Sequence, residues 1–372
     1  MSAGLPERVD LLFATGGTGG HIYPALAVAA AARERGLEAA FLGQSGGMEA
    51  TLVPEAGFPF TGVAAGKWDR QRPDPLQAVR AGLGLVQAIG AVRASRPALV
   101  VGFGGFASFP GCAAALLTGT ALALHEGNAF PSRVTRWFAS RARLVVLAQA
   151  EAGAHLRARK VVLAPFPVRE VRVDRARARD ALGLAADAPV TLVMGGSQGS
   201  LALNRAVPEA YRELGRGDVQ VVHAAGARWV DALRRRVADL PGYHVHPFVD
   251  AAQAFAAADL AITRAGIGTL SEAAFHGVPL VMVPLPTAAE DHQLHNAQAV
   301  AAAGAGLTVP ESELDRLPET WRRLLEPHAR IAAAQAAAAR SPEGAARRIL
   351  DALAPYLERS PARPAGMRRT AP

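Results

Sequence analysis

The sequence predicts an α/β protein with two similar halves, each built on a parallel sheet with helices on both faces. Short apolar runs alternate with longer helical segments along most of the 372-residue chain, a pattern typical of parallel sheets whose two faces are covered. The pattern also starts twice, because a strand, a glycine-rich turn and a helix open each half, at 9–35 and at 190–214. A chain of this length indicates two domains.

In the first half, apolar runs bounded by polar or glycine-rich segments predict a series of strands. They lie at 9–13, 39–42, 58–63, 98–101, 120–124, 143–147 and 161–163. Helices are predicted at 24–35, where Pro24 is tolerated in a first turn, and at 75–93.

A proline-bounded connector at 165–169 separates the halves. Beyond it, strands are predicted at 190–194, 219–223, 243–245, 260–262 and 280–283, a helix at 201–214, and helical sequence from 314 to near 356. We therefore expect a first domain at 1–165, a second at 166–341, and a C-terminal helix at 342–357 that packs back on the first. The remaining 358–372 is basic and proline-rich, which is typical of a disordered tail.

The charge balance narrows the class of partner. The formal net charge is +8, and a basic protein suits nucleic acid, anionic lipid or phosphorylated small molecules. No dense arginine run with interleaved aromatic residues is present, so we expect no nucleic-acid partner. Cys112 is the only cysteine, which excludes a disulfide framework and a cysteine-based metal site. The N-terminus lacks a hydrophobic signal, and the longest apolar run, 111–124, is too short to span a bilayer, so we expect a cytosolic protein able to rest on a membrane.

Glycine-rich and polar loops follow several predicted strands, and ligands of parallel sheets bind at that edge. Gly266 and Gly268 interrupt one strand, and Thr269 and Ser271 are predicted to cap the helix that follows. The N–H groups of such a helix suit a phosphate or a sugar hydroxyl. Glu272, one turn further on, can accept two ribose hydroxyls. The alternative is a plain strand–helix turn in which Glu272 only complements the helix dipole.

Phosphate chemistry fits the glycine-rich turns better than a redox cofactor does. Backbone donors in three such turns, with Arg169 and Arg264, suit a diphosphate. The turns at 16–20 and 195–199 lack the dinucleotide spacing G-x-G-x-x-G, and only 102–107 fits a variant of it, in mid-domain. Neither Gly-Lys-Ser/Thr nor Asp-x-Asp is present, so we predict neither a Walker loop nor a metal clamp, and we expect no cofactor.

Two residues are candidates for a general base. His21 ends the first glycine-rich loop, where its side chain would project into a cleft, and the ordinary His pKa of about 6.5 suits a base near neutrality. Glu126, which follows a predicted strand, is the competitor. His292 and His295 flank Gln293 but lack a further ligand at suitable spacing, so no metal site is predicted.

Seven motifs, taken together and in order, resemble the MurG family. They lie at 16–24, 104–110, 125–128, 167–169, 195–199, 264–272 and 291–296. Members of that family transfer N-acetylglucosamine (GlcNAc) from UDP-GlcNAc to undecaprenyl-pyrophosphoryl-N-acetylmuramyl-pentapeptide (lipid I), which gives lipid II for peptidoglycan synthesis. The resemblance runs from about 9 to 356. It implies a GT-B fold, with two Rossmann-like doubly wound domains facing across a cleft, and inversion at the anomeric carbon.

The resemblance also implies site residues. His21 and Glu126 are the suspected bases, and Asn128 would contact the acceptor or the donor sugar. The remaining implied binding residues are Thr18, Gly19, Gly20, Arg169, Ser197, Val249, Ile267, Gly268, Thr269, Leu270, Ser271, Glu272, Gln293 and Asn296.

Within that set, the resemblance divides the donor between several residues. Arg169 and Ser197 would hold the diphosphate, and Val249 would offer its backbone to uracil. The segment 267–272 would wrap the nucleotide, with its terminal glutamate on the ribose. Gln293 would bind the GlcNAc hydroxyls together with Asn296.

Four places depart from the usual family pattern. Phe106 stands where Tyr is usual, Gly127 where Gln is usual, and His292 where Gln is common, while 165–166 is Pro-Phe instead of Gly-Asn. These departures affect the expected acceptor contacts and leave the reaction class unchanged.

A lipid acceptor implies contact with an anionic membrane surface, so we expect a peripheral protein on the cytoplasmic face of the cell membrane. An apolar patch rimmed by arginine on and before one helix would make this contact. It comprises Trp68, Arg70, Arg72, Leu76, Val79, Arg80, Leu83 and Val86. The alternative is that these apolar side chains belong to the core.

Two other functions share the predicted architecture. A UDP-GlcNAc 2-epimerase would consume the same donor without a lipid acceptor. A catalytically silent protein would bind UDP-sugar without turnover. The intact glycine-rich loops, His21 and Glu272 favour an enzyme.

Overall fold

The computed structural model describes residues 6–64, 75–196, 198–215 and 219–357 and contains two parallel sheets. The first sheet has the order β3-β2-β1-β4-β5-β6-β7. Its strands are β1 (Leu11–Ala14), β2 (Ala39–Gln44), β3 (Phe60–Val63), β4 (Leu99–Gly102), β5 (Ala121–Glu126), β6 (Leu144–Leu147) and β7 (Val161–Leu163). The helices between them are α1 (Gly19–Glu34), α2 (Glu49–Glu55), α3 (Pro75–Ser95), α4 (Phe109–Thr118) and α5 (Arg133–Phe138).

The second sheet repeats this plan in the order β10-β9-β8-β11-β12-β13. Its strands are β8 (Val190–Met194), β9 (Gln220–Ala224), β10 (Tyr243–His246), β11 (Leu260–Thr263), β12 (Leu280–Met282) and β13 (Gly306–Thr308). The helices are α6 (Arg175–Ala181), α7 (Leu201–Leu214), α8 (Val230–Arg236), α9 (Ala251–Ala257), α10 (Ile267–His276), α11 (His292–Ala302), α12 (Leu317–Leu325), α13 (Pro327–Ala339) and α14 (Ala345–Leu353).

Alternation along the strands explains why both faces of each sheet are covered. Leu11 and Phe13 of β1 face one hydrophobic cluster with α1, whereas Leu12 and Ala14 face another with α3 and α4. All four side chains are fully buried, as expected for a central parallel strand. The order of strands reverses beside β1 and again beside β8, and a crevice for ligands forms outside the carboxyl ends at such points.

The C-terminal helix lies against the first sheet although it follows the second in sequence. Ile349, Leu350 and Leu353 of α14 share a core cluster with residues of β1 and α1. Asp351 on the same helix pairs with Arg35, Oδ1 to Nη1, at 2.6 Å. The chain therefore passes between the two sheets twice.

The two crossings lie side by side. The backbone N–H of Gly344 donates to Glu170 Oε1 over 2.8 Å, and Arg172 pairs with Glu343 at 3.0 Å. These contacts tie the outgoing segment after β7 to the returning segment before α14.

Most predicted strands are found within one or two residues, but several other features differ. Helix α1 begins at Gly19, so Pro24 lies in its second turn instead of its first. A proline there removes one N–H, and the bond to the Gly20 carbonyl is lost. Strand β13 and helix α2 were not predicted, because three and seven residues respectively give too little periodicity. Within the described residues, no helix combines the length and the apolarity needed to cross a bilayer.

We predict that Leu350→Ala lowers the free energy of unfolding by roughly 2–5 kcal/mol, since truncating a buried leucine leaves a cavity in the first core. Asp351→Ala, at the adjacent exposed position, should cost less than about 1 kcal/mol, as surface ion pairs do. Urea denaturation followed by circular dichroism measures both. Equal effects of the two substitutions would contradict the packing of α14 described above.

Candidate active site

A cleft of about 2040 Å³ lies at the carboxyl ends of both sheets, and loops from both domains line it. Most of the residues chosen from the sequence meet there. Those lining the cleft are Thr18, Gly19, Gly20, His21, Asn128, Arg169, Val249, Ile267, Gly268, Thr269, Glu272 and Gln293. Ser197 falls outside the described residues.

The first glycine-rich loop is held by hydrogen bonds to Glu49, a residue that the sequence analysis did not identify. Its fully buried carboxylate accepts from the Gly17 N–H over 3.2 Å and from the Gln44 N–H over 2.8 Å. A Cβ at Gly16 would lie 1.9 Å from Glu49 Oε1, so only glycine fits. No motif marks this glutamate, because it acts on a loop more than thirty residues away in sequence.

His21 lies in the first turn of α1, with its ring over the second glycine-rich loop. Thr18 Oγ1 is 3.0 Å from His21 Nδ1, which leaves Nε2 for a substrate. Gly104 and Gly105 make room for the ring, since a Cβ at Gly105 would be 3.0 Å from Nδ1. Burial lowers the His21 pKa, Glu126 opposes that shift, and His292 adds to it. His21 is therefore a neutral imidazole near pH 7.

Glu126 is buried and does not line the cleft. Its carboxylate accepts hydrogen bonds from the backbone and side-chain nitrogens of Asn128, each over 3.1 Å. It also accepts from the Ser132 N–H over 2.8 Å and the Thr135 hydroxyl over 2.7 Å. With four hydrogen bonds, the carboxylate orders the loop before α5 and is not placed to accept a proton from a ligand in the cleft. The geometry therefore favours His21 as the base.

Asn296 is fully buried and joins the two domains, which corrects its expected contact with the donor sugar. Its Oδ1 accepts from the Ala129 N–H over 2.9 Å. Its Nδ2 donates to Asn128 Oδ1 over 3.1 Å and to the Ala265 carbonyl over 3.2 Å. With these bonds made, the side chain has no free polar atom to offer the cleft.

Gln293, by contrast, keeps a donor group that has no hydrogen-bond partner among the described residues. Its Oε1 accepts from the backbone N–H groups of Ala265 and Leu285, over 3.2 and 3.0 Å. These bonds fix the amide orientation, because only the oxygen can accept. The Nε2 group is thereby left at the cleft wall, where a sugar hydroxyl can accept from it.

Helix α10 presents its N-terminus to the cleft. It begins at Ile267 after Gly266, and no side chain caps it, so the predicted capping by Thr269 and Ser271 is wrong. Thr269 and Ser271 lie three and five positions past the N-cap, Gly266, which is too far inside the helix to cap it. The first N–H groups of a helix have no intrahelical partner, and here they face the cleft.

Two residues of this helix do not face the cleft. Leu270 and Ser271 are buried and absent from its lining, because helical geometry turns them toward the second core. Leu270 packs in the cluster beneath β11. If the segment 267–272 wraps a nucleotide as expected, these two residues can take part through their backbone and not through their side chains.

Glu272, one turn further along α10, lines the cleft and has no hydrogen-bond partner among the described residues. Burial raises its pKa to about 7, while Arg169 lowers it and Asp250 raises it further. A carboxyl group held unpaired in a cleft is a ready acceptor for ligand hydroxyls.

Two arginines named from the sequence have different environments. Arg169 lines the cleft, remains 61% exposed and pairs with Asp250 at 2.6 Å. Arg264 is buried, donates to the carbonyls of Val283 and Pro284, and pairs with Glu311 at 2.5 Å. Glu311 balances its charge in this structure, and Arg264 also lines a small pocket beside Gly196, so its expected role at a diphosphate stays a prediction.

Two departures from the family pattern form one contact. The Phe166 ring lies over Gly127, where a Cβ would come within 2.6 Å of the ring. A larger residue at 127 and a phenylalanine at 166 thus exclude each other. Phe166 also packs with Val168 and Ile267, so this pair shapes the floor of the cleft between the domains.

The first-domain wall of the cleft is aromatic. It includes Tyr23 and Trp137, which are more than half exposed, together with Phe106 and Phe109. Sequence reasoning singled out only Phe106, since isolated aromatic residues carry no motif. Among the described residues, no three His, Cys, Asp or Glu side chains are grouped as a metal site.

Comparison with known proteins gives the family. The profile of the Glycosyltransferase family 28 N-terminal domain matches residues 11–147, and that of the C-terminal domain matches 190–349. Two similar proteins are each named UDP-N-acetylglucosamine--N-acetylmuramyl-(pentapeptide) pyrophosphoryl-undecaprenol N-acetylglucosamine transferase. That of Deinococcus radiodurans is 47% identical, over 94% of this chain and 96% of its own length. That of Thermus thermophilus is 43% identical, over 93% and 100%.

Solved structures agree. The crystal structure of Acinetobacter baumannii MurG matches with a TM-score of 0.76 and 28% identity, over 94% of this chain and all of that one. A protein described as a UDP-N-acetylglucosamine 2-epimerase from Listeria monocytogenes matches with a TM-score of 0.69 at 16% identity, over 95% of this chain and 97% of its own. That second likeness shows the shared fold alone. The expected GT-B fold is confirmed, and the chain belongs to the MurG family within glycosyltransferase family 28.

Proposed function

We propose that this protein transfers GlcNAc from UDP-GlcNAc to the 4-hydroxyl of the N-acetylmuramyl group of lipid I, forming lipid II. The observation that carries this function is the cleft itself, which is lined by His21 of one domain together with Gln293 and Glu272 of the other. A volume of about 2040 Å³ exceeds the roughly 300–1,000 Å³ that one drug-sized ligand fills. The cleft therefore has room for a donor and an acceptor together.

The second domain holds the donor in this proposal. The ribose hydroxyls donate to Glu272, and the backbone near Val249 meets the uracil. The diphosphate lies against the N-terminus of α10 and the glycine-rich turn that contains Ser197, with Arg169 as the nearby cation. Gln293 donates through Nε2 to a GlcNAc hydroxyl.

The first domain activates the acceptor. His21 Nε2 takes the proton of the acceptor hydroxyl as its oxygen attacks C1 of GlcNAc, and the bond from C1 to the diphosphate breaks with its electron pair leaving on UDP. Thr18, Gly19 and Gly20 place the imidazole, and Asn128 orders the adjoining loop. One displacement of this kind inverts the anomeric centre. The new negative charge on UDP is stabilised by fixed backbone dipoles.

Contact with the membrane is proposed through one face of α3. Val79, Leu83 and Val86 are 66%, 52% and 67% exposed, and their spacing places them along a single helical stripe. Arg80 lies beside them, as suits anionic lipid. Of the other residues in the expected patch, Trp68, Arg70 and Arg72 and the side chain of Leu76 lie outside what the structure describes. The proposal places the protein peripherally on the cytoplasmic face of the membrane, and it includes no nucleic-acid partner.

The domain limits also remain a proposal. The change of sheet between β7 and β8 and the packing of α14 on β1 support a first domain at 1–165 joined by 342–357, and a second at 166–341.

The function is tested by measuring UDP release from UDP-GlcNAc with and without a short-chain lipid I analogue. Release that depends strictly on the acceptor supports the transferase. Turnover without acceptor would indicate the epimerase, and UDP binding without any release would indicate a silent binding protein.

We predict that His21→Ala lowers kcat by about 10²–10⁴-fold, the usual loss on removing a general base. The wild-type rate should fall at acid pH, with the midpoint below the ordinary His value of 6.5 because burial lowers the pKa. That acid limb should vanish in the variant. His328→Ala, at an exposed position on α13, is the control. Normal turnover by His21→Ala would exclude this base.

We predict that Glu272→Gln weakens UDP binding about tenfold at pH 8, as expected for losing hydrogen bonds to a charged acceptor. The native pKa of about 7 lies above the ordinary 4.5, so ionisation of Glu272 reduces stability as pH rises through this interval. The variant should therefore melt at a higher temperature than wild type at pH 8, but not at pH 4. Calorimetry measures both, with exposed Glu213→Gln as the control. Unchanged UDP affinity would remove Glu272 from the donor site.

We predict that Leu83→Glu with Val86→Glu abolishes sedimentation with vesicles that contain anionic lipid, because two apolar anchors become charged. The matched control is Val171→Glu with Ile331→Glu, which changes two other exposed apolar residues. If both pairs sediment like wild type, the α3 face is not the membrane contact.

A further inference from the structure

One carboxylate joins the two domains at the edge of the cleft. Glu290 Oε1 accepts from Arg133 Nε over 2.6 Å, and its Oε2 accepts from Arg136 Nη2 over 2.8 Å. Both arginines belong to α5 of the first domain, and Glu290 precedes α11 of the second. The Glu290 side chain is only 22% exposed, so the charges attract each other in a partly desolvated place.

The segment that carries Glu290 has an unfavourable backbone. Glu290 has φ = 56° and Asp291 has φ = 51°, and neither is glycine. Consecutive residues in this region persist only where surrounding contacts hold them. The two ion pairs to α5 are contacts of that kind, because they reach Glu290 from the opposite domain.

The same segment leads directly into groups of the active site. His292 Nδ1 donates to the Ala289 carbonyl over 2.7 Å, and Gln293 follows it on α11. Both residues line the cleft, as do Glu290 and Arg133. The position of Glu290 thus sets the position of the first turn of α11, which carries the amide of Gln293.

Helix α5, which carries the two arginines, also contacts the first-domain loop that lies near His21. Ser132, whose hydroxyl caps α5, donates its N–H to Glu126, and Thr135 of α5 donates its hydroxyl to the same carboxylate. Arg136 also lies over the ring of Phe130, which stacks on His295 of the second domain at 5.3 Å. A shift of α5 would therefore move the loop beside His21.

We propose that Glu290 is a positioning residue, which clamps α5 to the start of α11 and thereby fixes the distance between the donor sugar and His21. This proposal rests on the proposed function, because it assigns Glu290 to the transfer step and not to binding of either substrate. Glu290 acts through Gln293 and α5, so nucleotide affinity should not depend on it.

Glu290→Gln keeps the shape of the side chain and removes its charge. The matched control is Glu209→Gln, because Glu209 also pairs with two arginines, Arg212 and Arg236, at 3.0 and 2.8 Å, but within the second domain. We expect Glu290→Gln to lower kcat by about tenfold or more, as small misplacements of reacting groups do. UDP affinity by calorimetry should stay at the wild-type value, and Glu209→Gln should leave both quantities unchanged.

A distance measurement tests the clamp without activity. Cys112 is buried, so spin labels can be placed at Glu151→Cys in the first domain and Glu319→Cys in the second, both exposed sites. The distance distribution should broaden in the Glu290→Gln background and not in the Glu209→Gln background. Arg133→Gln added to Glu290→Gln should cost little further activity, because the ion pair between Glu290 and Arg133 is already lost in the single variant.

The outcomes separate this proposal from the function on which it rests. A wild-type protein without acceptor-dependent UDP release would refute the function, and the label distances would still decide the clamp. An unchanged distance distribution in Glu290→Gln would overturn the clamp. So would a parallel loss of UDP affinity, or an equal loss of activity in Glu209→Gln.

Discussion

Each sheet reverses its strand order beside its first strand, and the two crevices this creates face each other across a single cleft. The proposed transfer depends on that alignment, because the candidate base lies in one domain and the proposed donor site lies in the other. Asn296 maintains it from within, since its buried amide bonds to backbone of one domain and backbone and side chain of the other. The cleft is thus a property of the interface, not of either fold.

Burial in the cleft shifts two titrating groups in ways that suit different tasks. Desolvation lowers the pKa of His21 and raises that of Glu272 to about 7, because in each case the charged form is disfavoured. His21 is therefore neutral and able to accept a proton. Glu272 has no hydrogen-bond partner among the described residues, and the proposed function explains why this cost in stability is tolerated, since ribose hydroxyls would supply the partners.

Sequence periodicity and glycine spacing were sufficient for most of the fold and for the loops of the site. His21 and Glu272 could be chosen because each sits at a fixed offset from a glycine-rich turn. The sequence could not show which polar side chains are already paired within the protein and so cannot bind a ligand, because these pairs join segments that are distant in sequence. Glu311 pairs with Arg264, although the two are distant in the sequence of the second domain. The Asn296 side chain accepts a hydrogen bond from the Ala129 N–H. The same holds for Gly127, whose missing side chain is explained only by the Phe166 ring above it.

The most direct test of a single displacement in this cleft is the anomeric configuration of the product. UDP-GlcNAc carries an α linkage, so one attack assisted by one base gives a β-linked disaccharide on the lipid I analogue. Proton NMR of the purified product distinguishes the two anomers. A β-linked product is the predicted result. An α-linked product, or an epimerised UDP-sugar without any disaccharide, would contradict the mechanism.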